Sequence, residues 1–179
     1  MDIEISFINM LSDTQKEQVW DLLCECDREF IPPLSARNSS YQGVLSGTTA
    51  TDELPTAYYK EMLGQLFLVA EYQENIIGFM TFKHNYECEE LKKVLPNNYI
   101  TTICVNKDIR NKGITKKFYH FMENKLPEEY RLPYITTRTW NANVAHIRVL
   151  EKLGFKVEET LLNHRGEGID TIYFSKLQS

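Results

Sequence analysis

Positive charge is not in excess: twenty Lys and Arg face twenty-five Asp and Glu, a formal net charge of -5. The chain therefore has no global field to hold nucleic acid or anionic lipid, although a local basic patch is still allowed. Long apolar runs are missing as well, and the opening Met1-Asp2-Ile3-Glu4 has neither the basic start nor the apolar core of a secretion signal. The expectation is a cytoplasmic protein with neither a membrane nor a nucleic-acid partner. Cysteine is sparse, at four residues, and Cys24 and Cys26 stand two apart, which on a helix points them away from each other. That spacing suits neither a disulfide nor a zinc pair, so free thiols and no metal are expected. Glycine and proline number only eight and six, and 42% of residues are hydrophobic. Disorder, collagen and coiled coil are excluded, and 179 residues suit one domain with a proper core.

What is present reads as an alternation of strands and helices. Ile3, Ile5 and Phe7 alternate with polar residues and predict an opening strand. Ser12 and Gln15 form a capping-box pattern, followed by Val19, Leu22, Leu23, Cys26 and Phe30 at amphipathic-helix spacing. Residues 31–56 then lose the periodicity and turn rich in Pro, Ser, Asn and Gly, a long connection of the kind used for binding loops and lids, or simply a surface loop. A short helix is expected over 53–63. Two apolar runs, 66–70 and 76–82, predict an antiparallel hairpin at the sheet centre, and 99–105 a third buried strand. Residues 87–95 form a charged excursion or short helix. Ile114, Phe118, Phe121, Met122 and Leu126 recur at helical spacing until Pro127. A strand over 133–139, a helix over 141–153 closed by Gly154, a strand from Phe155, a turn over 163–168 and a last strand over 169–177 complete the chain.

The chemically informative unit is the passage from strand into helix through Arg110-Asn111-Lys112-Gly113-Ile114-Thr115. A helix start leaves several backbone N–H groups without intrahelical partners, and with the helix dipole these attract an anion such as a pyrophosphate. Lys116 and Lys117 add charge; a tight turn with solvated lysines is the alternative. Arg110-x-x-Gly113-x-Thr115 resembles the Q/R-x-x-G-x-G/A signature of GNAT N-acetyltransferases. The stretch from Asn143 through Glu151-Lys152-Leu153-Gly154-Phe155 is similar to that family's asparagine-bearing helix, and the two motifs in this order and spacing are specific.

The resemblance implies an α/β fold with a mixed, strongly twisted sheet of about seven strands and flanking helices, split into a V between the strands at 99–105 and 133–139. Acetyl-CoA is the implied cosubstrate in that notch. Its pyrophosphate would rest on the N–H groups of Arg110, Asn111, Lys112, Gly113, Ile114 and Thr115. Its pantetheine arm would pair with the backbone of Ile103, Cys104 and Val105, the thioester carbonyl near the Val105 N–H, with Asn143 reaching the amides. His146, on the Asn143 face, is a polar contact to CoA or acceptor, or a packed histidine. Cys104 is expected as a small apolar strand residue rather than a nucleophile, and Trp140 and Tyr134 as core or rim aromatics.

Two positions depart from the pattern: Thr115 replaces Gly or Ala, and Leu150 stands where many members carry the tyrosine that protonates the departing thiolate. Glu71 and Tyr99 are the candidate bases, chosen for nearness to the notch, and Tyr173 is a candidate acid on the final strand. The implied reaction is direct transfer of acetyl to the amine of a small-molecule or peptide acceptor. The loop 31–56 would cover the acceptor, and Asp52, Glu53 and Glu61 would attract a cationic amine, or else are solvated carboxylates. A homodimer is left open. The alternative function, favoured by Leu150, is a catalytically idle acyl-CoA-binding sensor or partner module.

Overall fold

The computed structural model describes residues 1–48 and 53–178. Seven strands form one sheet in the order β1-β2-β3-β4-β5-β7-β6: β1 (Glu4–Ile8), β2 (Leu66–Tyr72), β3 (Asn75–His84), β4 (Asn97–Val105), β5 (Tyr134–Trp140), β6 (Lys156–Gly166) and β7 (Ile169–Leu177). Helices α1 (Asp13–Cys26) and α2 (Thr56–Met62) lie between β1 and β2, α3 (Ile114–Asn124) crosses from β4 to β5, and α4 (Val144–Lys152) follows β5. No described helix is long and apolar enough to cross a membrane.

The helices cover opposite faces because the strands alternate. Phe67 and Val69 of β2 pack with Val19, Leu22 and Leu23 of α1 and Tyr58 and Met62 of α2, whereas Leu68 and Ala70 join Phe118 and Met122 of α3 and Leu150 of α4. The expected capping box opens α1: the Gln15 N–H donates to Ser12 Oγ at 3.2 Å, and the Ser12 N–H to Gln15 Oε1 at 2.9 Å. At the end of α4, Gly154 adopts φ 87°, and the Phe155 N–H returns to Leu150 O while the Gly154 N–H reaches Glu151 O. This Schellman turn is why glycine stands there.

Several boundaries differ from expectation. The helix expected to run as far as Phe30 ends at Cys26 and tightens into a 3-10 turn, Asp27–Glu29. The strand β6 continues to Gly166, through the expected turn, with an irregular register after Leu161. The excursion over 87–95 contains a 3-10 turn, Glu89–Leu91, whose Leu91 packs on Tyr99 and Tyr173. The described part of the 31–56 connection is stitched down rather than loose. Leu34 and Leu45 are fully buried, the Ser35 N–H donates to Asp27 Oδ1, and the Ser40 N–H and Oγ both donate to Glu61 Oε1. A polar composition here reflects side-chain bonds to backbone, which hold an irregular chain as firmly as apolar periodicity holds a helix.

Candidate active site

The sheet opens at its centre. β4 pairs with β3 along its whole length but with β5 only from Asn97↔Tyr134 to Ile100↔Thr137; beyond that point β5 follows β7. The opening coincides with a β-bulge, since Thr81 faces Thr102 and Phe82 faces Ile100, leaving Thr101 as the extra residue. A bulge bends its strand and increases twist, which turns the end of β4 away from β5. Thr137 Oγ1 donates to Ile100 O at 3.0 Å and closes the apex.

Beyond the apex, β4 has no strand partner on one backbone edge. The Asn106 N–H donates to Ile77 O, towards β3, so by the alternation of strand backbones Ile103 and Val105 direct theirs into the opening and Cys104 towards β3. Ile103 and Val105 line the cavity. Cys104, grouped with them from sequence, does not: the same alternation buries it against α1, and burial pushes its thiol pKa well up.

The cavity occupying this opening has a volume of about 520 Å³, within the range of small-molecule sites. On the α3/α4 side it is lined by Ile109, Arg110, Asn111, Gly113, Ile114, Thr115 and Lys116. Asn111 (φ 65°) and Gly113 (φ 72°) both take the left-handed conformation, and Gly113 caps α3 without any side-chain bond. The first bond of α3 runs from the Lys117 N–H to Gly113 O, so the N–H groups of Ile114, Thr115 and Lys116 have no acceptor in their own helix. A Cβ at Gly113 would meet nothing within 4 Å; the glycine is required by its φ, and the space before it is open. Lys112 is exposed and does not line the cavity. Arg110 turns its guanidinium inward, paired through both nitrogens with Glu29 and donating to Val105 O at 3.3 Å. That hydrogen bond holds the Glu29 carboxyl below its ordinary pKa.

Asn143 and His146 reach the same wall from α4. Asn143 Nδ2 donates to Thr139 Oγ1 at 3.0 Å, and His146 Nε2 shares a 2.7 Å hydrogen bond with the Tyr119 hydroxyl. Burial pushes the His146 pKa down to about 4, so the ring is neutral at physiological pH. Leu150, one turn on, is fully buried in the core and does not line the cavity.

The other mouth of the cavity opens on the α1/α2 side. Thr137 and Thr139 face α3 and α4, so the intervening Arg138 and the following Trp140 face the opposite way, where Phe30 lies 6.0 Å from the Trp140 ring. Cys26, Glu29, Phe30, Arg37, Ser40, Arg138, Trp140 and Arg165 line this side. The three arginines, together with Cys26 and Glu29, are additions to the sequence expectation. Arg138 sits in a strand otherwise made of β-branched and aromatic residues, Tyr134–Trp140, and an arginine in so buried a setting is the one local signal that marked the site.

The three candidate acid–base residues are not assembled on the cavity. Glu71 lies opposite Glu4 of β1, two strands from the opening. Tyr99 is 1% exposed, stacked on Tyr86 at 4.6 Å and absent from the cavity lining, and burial raises its pKa. Tyr173 is also buried, with its pKa raised by desolvation, and its hydroxyl accepts from Arg138 Nη1 at 3.3 Å. It reaches the cavity only through that arginine. Of the carboxylates expected to draw a cationic acceptor, Glu61 is bonded to Ser40 and Gln65, Glu53 does not line this cavity, and Asp52 lies outside the described residues.

The sequence model of the acetyltransferase (GNAT) family matches residues 20–155. The chain belongs to this family. No curated protein matches it significantly. Among solved structures, this GNAT domain is similar to a protein assigned as a streptothricin acetyltransferase of Bacillus anthracis, in complex with acetyl coenzyme A: 25% identity, 64% of this chain and 63% of that one, TM-score 0.53. An N-acetyltransferase of Staphylococcus aureus covers 99% of both chains at 15% identity and a TM-score of 0.64. The yncA protein of Salmonella typhimurium, solved with acetyl-CoA, covers 100% of this chain and 95% of its own at 14% identity and a TM-score of 0.64. The last two likenesses establish the GNAT fold, and the family establishes an acyltransferase.

Proposed function

We propose that the protein transfers an acetyl group from acetyl-CoA directly to a primary amine. The observation that carries this reading is the edge of β4 at Ile103 and Val105, without a strand partner and opening beside the unpaired N–H groups of α3. The residues present fit the cosubstrate. Backbone donors at Ile114, Thr115 and Lys116 suit a pyrophosphate. The Ile103 and Val105 backbone suits an extended chain of amides, and Asn143 offers a further amide partner at its end. Acetyl-CoA, when bound, would supply the acyl group as a thioester; the amine nitrogen gains the C–N bond and gives up one proton to water, while the C–S bond breaks with its electron pair on sulfur, which takes a proton back from water.

The chain's own groups assist by orientation and by donation to the developing oxyanion from backbone N–H groups on the β4 edge, the kind of contact that strengthens as charge builds up. Neutral His146 and its partner Tyr119 complete a polar wall without a charge. No described carboxylate other than Glu29 lines the cavity, and Glu29 is held by Arg110; the ammonium proton therefore goes to water before attack. The buried guanidiniums on the acceptor side favour that loss, since like charge lowers the amine pKa. Leu150 favours a second reading, a CoA-binding module without turnover, because it supplies no acid. Acetyl-CoA-dependent thiol release across a panel of amines separates the two: turnover of at least one amine is expected, and CoA binding with no turnover of any would establish the sensor.

A further inference from the structure

The acceptor side of the cavity is built around arginines that no described carboxylate pairs: Glu29, which also lines it, is taken by Arg110. Arg37 and Arg165 are only 6% and 7% exposed, and Arg138 lines the cavity between them. Each guanidinium is held by neutral oxygens. Arg37 Nε and Nη2 donate to Pro32 O at 3.0 and 2.8 Å. Arg138 Nη1 and Nη2 donate to the Tyr173 hydroxyl and to Gln42 O, and Arg165 Nε and Nη1 to Thr171 Oγ1 and Ile31 O. Among the described residues none of the three has an ion pair, and the bonds named above use two of the five N–H donors of each guanidinium. Asp27, the carboxylate that bears on Arg37, accepts from the Ser35 N–H instead. Burial, followed by the charges of Arg37 and Arg138, pushes the Arg165 pKa down to about 9; burial takes Arg37 down to about 10, and both stay cationic at neutral pH.

Three like charges gathered away from water cost several kcal/mol unless an anion joins them. The aromatic faces beneath them, Phe30 under Arg37 at 5.9 Å and Trp140 under Arg165 at 5.3 Å, offset part of that cost and fix the planes of the guanidiniums. A planar fork with free donors, held against a ring, is the geometry that receives a carboxylate or phosphoryl group. The cluster faces the α1/α2 side of the sheet, whereas the α3 donors and α4 lie on the other side of the opening. It is thus placed for the second substrate and not for the CoA phosphates.

We infer that the acceptor is a small anionic amine, one carrying a carboxylate or another oxyanion that docks on Arg37, Arg138 and Arg165 and so presents its amino group at the opening between β4 and β5. The inference rests on the acetyltransferase reading above and narrows an acceptor that the sequence left open. Polyamines and aminoglycosides would bring positive charge to the cluster and are excluded as substrates.

The test compares amines that differ only in the anion: alanine with alaninamide, phenylalanine with phenylethylamine, and phosphoethanolamine with ethanolamine, with spermidine and kanamycin as polycations. In at least one pair the anionic member is expected to exceed its partner by at least ~100-fold in kcat/KM, as in sites whose buried polar groups a wrong substrate leaves unpaired. The pair that responds distinguishes carboxylate from phosphate. In parallel, succinate and inorganic phosphate are titrated into the CoA-loaded protein at low salt. Saturable binding is expected, weakened roughly tenfold or more by Arg165→Gln and by Arg37→Gln with CoA affinity unchanged; if either variant fails to fold, chloride competition on the wild type reads the same site. Efficient turnover of spermidine, turnover of the amines lacking an anion as fast as of their anionic partners, or no anion binding by the wild type, would overturn the inference. A fall in CoA affinity in the arginine variants would also overturn it, by reassigning the cluster to the CoA phosphates. Failure of the acetyltransferase reading itself is separately visible, as wild-type protein that does not bind CoA.

Discussion

The two ends of the cavity receive negative charge by opposite means. At α3 the donors are backbone N–H groups on an open helix start, set by Asn111 and Gly113 in left-handed conformation and carrying no formal charge. At the far end the donors are full cations on side chains, held by neutral oxygens drawn from three separate segments, Ile31-Pro32, Gln42 and β7. The first arrangement costs little to keep empty, because exposed N–H groups are hydrated. The second is expensive to keep empty and demanding of its ligand, since a desolvated guanidinium discriminates strongly between an anion and anything else. One end is suited to a cosubstrate common to many enzymes, the other to selection.

The comparison breaks most sharply at Gly113. Gly113→Glu places a carboxylate at the mouth of the N–H groups and a side chain on a backbone with φ +72°. CoA affinity should fall at least ~1000-fold, about 4 kcal/mol, with the fold still cooperative by circular dichroism. Wild-type affinity by calorimetry would show that the α3 end is not the phosphate site. Gly113→Ala, which carries the strain without the charge, should lie between the two.

A smaller effect is expected at the wall shared by both ends. The pKa of His146 is about 4 in the folded protein against an ordinary 6.5, so between those values the unfolded chain binds more protons than the folded one. Stability from this residue is therefore complete above pH 6.5 and is lost as pH falls to 4, by about 3 kcal/mol in all. Chemical denaturation across that window should show a steeper loss in the wild type than in His146→Gln, and parallel curves would mean that the imidazole is not buried neutral.

The smallest effect belongs to the ion pair that joins the two ends. Glu29 and Arg110 are 37% and 39% exposed, so Glu29→Gln should cost less than about 1 kcal/mol of stability. The released guanidinium is then free to turn towards the phosphates, and CoA should bind slightly tighter in low salt than to the wild type. A loss of affinity in calorimetry would mean that the pair holds the α3 loop in its binding conformation.

What could be seen in the sequence follows the same division. The α3 end is written in contiguous residues, Arg110 to Thr115 and Asn143 to Phe155, because a helix start and a helix stop are local events with local signatures. The mixed seven-stranded sheet followed from the resemblance that those motifs carry, whereas its strand order is read from the structure. The acceptor end is not contiguous: Arg37, Arg138 and Arg165 meet only once the cover, β5 and the β6–β7 hairpin have packed, and nothing in the spacing of the three announces it. The misplacements have the same origin. Cys104 falls outside the cavity because neighbours on a strand face opposite ways, and the nearness to the notch expected of Glu71 and Tyr99 depends on strand order and facing, which their places in the sequence do not fix. Leu150, the departure from the family pattern, is fully buried and does not line the cavity.

The parting of β4 from β5 also bears on how the molecule avoids sticking to its own copies. An unpaired strand edge is ordinarily a hazard, a template on which another chain can build, and here such an edge lies at the middle of the sheet rather than at its rim. Phe30 and Trp140 on one face and α3 and α4 on the other line the opening beside it, and the bulge at Thr101 bends the strand out of the flat register on which a second sheet would build. The irregularity that opens the site thus also serves as the guard that a rim strand finds in a proline or a charge.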